Sequence, residues 1–229
     1  MAIHNQKGAS PTDPDKDAEM SKLLQDARAL IDGKKLPAAI EKCDKVIASF
    51  KTHYESRKEK VYCARTSAES LGYLLKTAAA SAKGTADKSN AIVLSSIWSD
   101  AYFMKGYALQ DLGRMAEAKS AVQRAVELSP WNSRYLSELG NIYQIEKNWP
   151  KAKEAFETAE DQAVLSPDES KAEELGRARR GLAYVFVELG QLEKAEKKYQ
   201  QCLSSDPKDK RAAQELEYVR GLRAKAKSR

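Results

Sequence analysis

Leu139-Gly140-Asn141-Ile142-Tyr143, followed by Trp149, Pro150, Ala152, Phe156 and Ala159, is the stretch on which the reading of this chain turns. Glycine inside an apolar helical run costs roughly 1 kcal/mol against alanine, so Gly140 needs an offsetting contact, and close approach of a second helix provides one. Pro150 suits the first turn of that second helix, where its missing N–H would have no partner anyway. The layout recurs in phase on both sides. Counting from Ser99, Ser133 and Gly176, the eighth place holds Gly106, Gly140 or Ala183, and the twentieth holds Ala118, Ala152 or Ala195. Ser129-Pro130 and Asp206-Pro207 close two of the frames on proline at the thirty-second place. A period of about 34 residues is the signature of a repeat array built from helical hairpins.

Within the frames, Tyr102, Leu109 and Leu112, then Leu136, Leu139 and Tyr143, recur at three- and four-residue spacings and form one buried stripe. Gly113 and Gly190 are placed to end first helices, where a residue of positive φ is favoured. Second helices are then expected near Met115, at Pro150 and near Leu192. Val122, Phe156 and Tyr199 lie four residues beyond the alanines, with Ala125, Ala159 and Cys202 three further on.

On these residues the chain resembles the tetratricopeptide repeat family. The resemblance implies an all-α fold, a right-handed superhelical solenoid of antiparallel helix hairpins with a C-terminal capping helix. It also implies a concave face, lined by first helices, that holds an extended peptide or a partner helix. Carried onto this sequence, that face is lined by Asp100, Phe103, Tyr107 and Gln110, by Arg134, Ser137, Asn141 and Gln144, and by Arg177, Arg180, Tyr184 and Glu188. Aromatic residues with arginine are the types that carry binding energy at hot spots. Asn141 can donate to and accept from a peptide backbone at once. The arginines point to a partner with acidic character. Simpler readings stand beside these: Phe103 and Tyr107 pack beneath the preceding repeat, and Arg177, Arg179 and Arg180 pair with Glu173 and Glu174. The carboxylate clamp that some relatives use on chaperone tails is not expected. Its Lys and Asn places hold Phe103 and Tyr107, Glu138 falls where the next Asn would be, and only Arg177 matches.

The remaining chain divides around the three frames. Met20 to His53 fits the same pattern through Ala27, Leu36, Ala39 and Val46, with Pro37 opening a second helix. Residues 54–98 read as an enlarged irregular repeat: one long helix from Tyr54 to Ala82, a polar loop from Lys83 to Asn90, and a repeat end at Ala91-Ile92-Val93-Leu94 with Trp98. After Ala159 the next frame starts nine residues late, and Ser166-Pro167-Asp168-Glu169 reads as a capping box opening a long first helix. Residues 166–209 form that last repeat. Asp209 to Ala224 is expected as an end cap, since solenoids must cover their last apolar face. Residues 1–12 are expected to be a disordered leader and 13–229 a single solenoid.

With 229 residues, 42% of them hydrophobic, the chain can bury one core extended along the array. No run approaches the roughly 20 apolar residues needed to span a bilayer. A soluble cytoplasmic protein is expected, or a periplasmic one if a signal peptide has been removed. Lys210 to Arg229 hold seven basic and two acidic side chains, so of the net charge of +6 only +1 is left for the preceding 209 residues. A basic end of this kind (Arg220, Arg223, Lys225, Lys227, Arg229) could meet nucleic acid, but no aromatic interleaves with it for base stacking, and a solvated helix end is the favoured reading.

Cys43 and Cys63 are equidistant from residue 53, where two antiparallel helices should turn. They are read either as a disulfide or, preferably, as two packing thiols. Chemistry is sparse. The only histidines are His4 and His53, so neither a His-based triad nor a multi-histidine metal site can be assembled. No glycine-rich phosphate loop follows a strand, and no strand pattern is seen. Acidic pairs such as Glu160-Asp161 and Glu173-Glu174 read as solvated faces. The expectation is a non-enzymatic interaction scaffold or adaptor with no cofactor, metal or small-molecule substrate. The alternative is a chaperone or assembly factor for a bacterial secretion or envelope system. Self-association through an exposed terminal repeat face is also allowed.

Overall fold

The computed structural model describes residues 14–82 and 90–227. Helices α1 (Pro14–Asp32) and α2 (Leu36–Tyr54) form a first hairpin. Three more follow: α4 (Ile97–Asp111) with α5 (Met115–Leu128), α6 (Ser133–Ile145) with α7 (Trp149–Gln162), and α8 (Asp168–Glu188) with α9 (Leu192–Ser205). Helix α10 (Lys210–Lys227) closes the stack, burying Ala212, Leu216 and Val219. One core runs through the C-terminal half, joining Val122 of α5 to Phe156, Leu182, Tyr199 and Val219.

The repeat glycines sit where helices touch. A Cβ on Gly106 would lie 2.6 Å from Val122 Cγ2, and one on Gly140 would lie 2.8 Å from the Phe156 ring. These contacts offset the poor helix propensity of glycine. Gly113 and Gly190 take φ of +74° and +69° and end α4 and α8, as their positions demand. The two equivalent turns use lysine instead: Lys34 and Lys147 stand at φ 56° and 55°.

Between α2 and α4 the chain departs from the helical expectation. The expected long helix over 54–82 breaks after Tyr54. Its place is taken by strand β1 (Lys60–Ala64), helix α3 (Ser67–Ala82) and strand β2 (Ala91–Ser95), which together replace a helical hairpin with a β-α-β unit. The strands pair in parallel from Lys60 opposite Ala91 to Ala64 opposite Ser95. Ala91 to Leu94 is therefore a strand and not a helix end, and the expectation of no strand fails here. Val-Tyr and Ile-Val are β-favouring pairs, but each run is short, and a parallel pair needs a partner from beyond a crossover helix. One sheet face carries Cys63 and Leu94 into a core with Met20, Phe50 and Trp98. On the other, Tyr73 of α3 lies between Tyr62 and Trp131, with ring centroids 4.6 Å from each.

Two local expectations also change. His53 lies in the last turn of α2, not at the turn itself, and Cys63 is on β1; Cys43, Cys63 and Cys202 are buried free thiols. Pro167 is the residue before α8 (ψ 140°), and Ser166 makes no capping bond. Its hydroxyl donates to Glu174 at 2.6 Å, because that buried carboxylate needs donors more than the helix end does. The expected leader over 1–12, and the 83–90 loop apart from Asn90, lie outside the described residues.

Candidate binding groove

Helices α4, α6 and α8 carry the predicted lining residues, eight of which fall into two clefts, while Tyr107, Gln110, Ser137 and Glu188 line neither. The C-terminal cleft, about 480 Å³, is lined by Asn141 and Gln144 of α6, by Arg177, Arg180 and Tyr184 of α8, and by Arg211, Gln214 and Glu215 of α10. The N-terminal cleft, about 350 Å³, joins Arg28 of α1, Arg65, Phe103 of α4, Arg134 and Ser170. A depression of about 660 Å³ at the α9–α10 turn shares Glu173, Arg180 and Arg211 with the first cleft.

Glu138 stands at the centre of this face. It is buried, and it accepts from Gln110 Nε2 at 2.8 Å and Asn141 Nδ2 at 3.4 Å, with Arg177 Nη1 at 4.0 Å. Sequence reasoning noted Glu138 only as a mismatch to the clamp pattern. Here it is the acceptor that orients three predicted residues. Arg177 also pairs with Glu173 at 3.3 Å. Arg180 pairs with Asp209, and Arg179 with Glu160, so neither takes the same-helix partner weighed for it. Gln144 Nε2 donates to the Gly181 carbonyl at 3.0 Å, bridging α6 to α8. Tyr184 is exposed, and its hydroxyl is pushed upward in pKa by partial burial and nearby Glu188.

The first-repeat residues divide. Phe103 is buried, stacked on Tyr135 at 4.8 Å and covered by the Arg134 guanidinium at 4.6 Å. Tyr107 is exposed but lines neither cleft. Asp100 accepts from Tyr135 at 2.6 Å and Ser96 at 2.7 Å, and the Ser137 hydroxyl is buried without a partner among the described residues. Sequence reasoning also missed Arg211, Gln214 and Glu215, because the last helix was read only as a cover. Their three- and four-residue spacing against buried Ala212, Leu216 and Val219 was the available signal.

The β-α-β unit closes the N-terminal end of this face. Arg65 bridges Glu69 at 3.1 Å and Glu174 at 2.7 Å, and Ser170 donates to Glu174 at 3.1 Å. Thr66 donates to the Leu165 carbonyl at 3.3 Å, and Ser129 to the Cys63 carbonyl at 2.7 Å. Among the described residues no group of His, Cys, Asp and Glu forms a metal cluster, and no helix is long and apolar enough to cross a membrane.

This succession of packed helical hairpins, with clefts between their helices, defines a helical-repeat scaffold. Tetratricopeptide repeat profiles match residues 99–130 and 132–208, and the chain is a tetratricopeptide repeat protein. No curated protein matches it. Among solved structures it is similar to Pseudomonas aeruginosa pilF, with 13% identity over 91% of this chain and 71% of that one, at a TM-score of 0.62. A MamA RS-1 double mutant aligns at 14% identity over 91% and 87%, with a TM-score of 0.55. A further MamA structure aligns at 17% identity over 82% and 79%, with a TM-score of 0.52. At these identities the likeness is one of fold. Repeats of this family make the chain a protein-interaction scaffold.

Proposed function

We propose that this chain is a non-enzymatic adaptor that binds an extended peptide or a partner helix in the groove between α6, α8 and α10. The observation that carries the reading is the C-terminal cleft, where Asn141, Tyr184, Arg211 and Gln214 converge from three helices. Two of its three arginines are ion-paired, Arg177 with Glu138 and Glu173 and Arg180 with Asp209, and Glu215 lines the cleft with Arg211. With the charges balanced, recognition rests on backbone hydrogen bonding and on Tyr184 contact more than on an acidic ligand. A terminal carboxylate is disfavoured, since buried Glu138 faces the place it would take.

The test is affinity capture from the native source with wild type beside an Asn141→Ala/Tyr184→Ala double variant, read by mass spectrometry. A partner held by wild type and lost by the variant supports the groove, and its affinity should change little between low and moderate salt. Equal recovery by both proteins, or an affinity that collapses with salt, would reject the reading.

A further inference from the structure

Helix α3 is apolar on the side turned away from its own sheet. Its charged residues are Glu69, buried against Arg65, and Lys76, which sits 5.6 Å over the Trp131 ring. Glu69 and Tyr73 face inward, while Ala68, Leu71, Leu74, Leu75, Ala78 and Ala82 are exposed, the leucines by 58%, 45% and 59%. A helix apolar on both sides belongs inside an assembly.

The orientation of that face follows from its neighbours. Gly72 and Lys76 lie against Trp131, two residues from Ser129, which donates to the Cys63 carbonyl of β1. That flank of α3 is thus on the β1 side, where the strand edge is covered. By the 3.6-residue period of the helix, Leu71, Leu74 and Ala78 project from the opposite flank, which is therefore the one on the β2 side. Among the described residues the β2 backbone bonds only to β1. The strand reads Ala-Ile-Val-Leu-Ser, with no lysine, proline or bulge to guard an open edge. A two-stranded sheet is also smaller than those that are stable alone.

We propose that the occupant of this surface is a second copy of the chain. Antiparallel pairing of β2 with its counterpart, about a two-fold axis normal to the sheet, gives the four-stranded order β1-β2-β2-β1. The same operation lays the two α3 helices side by side with their leucine flanks in contact. The edge and the flank lie on the same side of each copy, so one rotation satisfies both, as an isologous interface requires. A register centred on Val93 sets Ala91 against Ser95 of the partner subunit and places no charge at the seam. A 16-residue helix is about 24 Å long and a five-residue strand about 17 Å. Together they offer a footprint of roughly 400–500 Å² per copy, about 800–1,000 Å² in total, the size of weak or transient interfaces, so the dimer is expected to be no tighter than micromolar. This inference is independent of the groove.

The experiment is light scattering and sedimentation of the full chain from about 1 to 100 μM, the range that an interface of this size calls for. Wild type is expected to approach twice its 25.4 kDa mass. Leu71→Glu/Leu74→Glu is expected to stay monomeric with an unchanged helical circular dichroism spectrum. Because the native thiols are buried, Leu74→Cys should cross-link to its own copy through a short bismaleimide, whereas Ser204→Cys should not. A monomer at every concentration overturns the proposal. So does a dimer that survives the double substitution, or a monomer that uses this patch to hold a different protein.

Discussion

Phe156 lies fully buried between Gly140 of α6 and Gly181 of α8. A methyl group on Gly181 would overlap its ring, and the ring has no open space to enter. Gly181→Ala should therefore destabilise the fold by about 1–3 kcal/mol despite the better helix propensity of alanine, read as a lower urea midpoint. Lys147 is the opposite case, a side chain held at φ 55° where glycine is at ease. Lys147→Gly should stabilise by about 0.5 kcal/mol, the left-handed strain relieved less the extra freedom of the unfolded chain. Burial pushes the Cys43 and Cys63 thiols up to about 12 and Cys202 up to about 11. At pH 8 the native protein should resist a thiol reagent, and the denatured chain should show three reactive thiols. Fewer than three in denaturant would mean a bridge. Gly140 could be read from sequence because glycine inside an apolar helix is conspicuous. Lys147 could not, since nothing in a lysine announces a positive φ.

Helix α10 is held by Ala212, Leu216 and Val219 beneath and by charge at its rim. Glu196 of α9 accepts from Arg220 at 2.9 Å and from Arg223, which also reaches Glu193 at 2.7 Å. The Arg220 and Arg223 hydrogen bonds hold the Glu196 carboxyl below its usual value of 4.5. A depressed carboxylate contributes above its unfolded pKa and loses that contribution as pH falls through the folded one. Amide exchange in α10 should accordingly quicken as pH drops below about 4.5, after correction for intrinsic rates. Glu196→Gln should show the faster exchange at neutral pH already, with no further step in that window. Parallel loss in both proteins would assign the effect to global acid unfolding. Arg220 and Arg223 were legible as a basic end, yet their partners are 24 and 27 residues away. The β-α-β unit was missed for a similar reason at larger scale: α3 was seen as helical, but its flanking strands exist only as a pair.

Across the whole molecule, the Arg65 cluster ties the β-α-β unit to α8, 109 residues along the chain. A repeat array contacts only its neighbours, so this bond, together with the Thr66 bond to the Leu165 carbonyl, adds a long-range tie that strengthens cooperativity between the two ends. Arg65→Ala would leave Glu69 and Glu174 buried without their cation, at a cost of about 3–5 kcal/mol. A biphasic denaturation curve, with the N-terminal half melting first, is the expected signature. A single transition at the wild-type midpoint would show that the pair contributes nothing.

Local patterning sufficed for the hairpins. Their 3.6-residue stripes, glycines and prolines act within one or two turns, so Gly106, Gly140, Gly190 and Pro150 could be placed from the chain alone. The face of each first helix follows from the same periodicity, which is why Asn141, Arg177 and Tyr184 reach one cleft. Tertiary structure decided what each of these side chains meets. Glu138 gathers Gln110, Asn141 and Arg177, Phe103 sinks beneath Arg134, and β1 finds β2 across a helix. Those outcomes depend on which distant groups arrive at van der Waals or hydrogen-bonding distance. That is a property of the packed chain, and no window of neighbouring residues contains it.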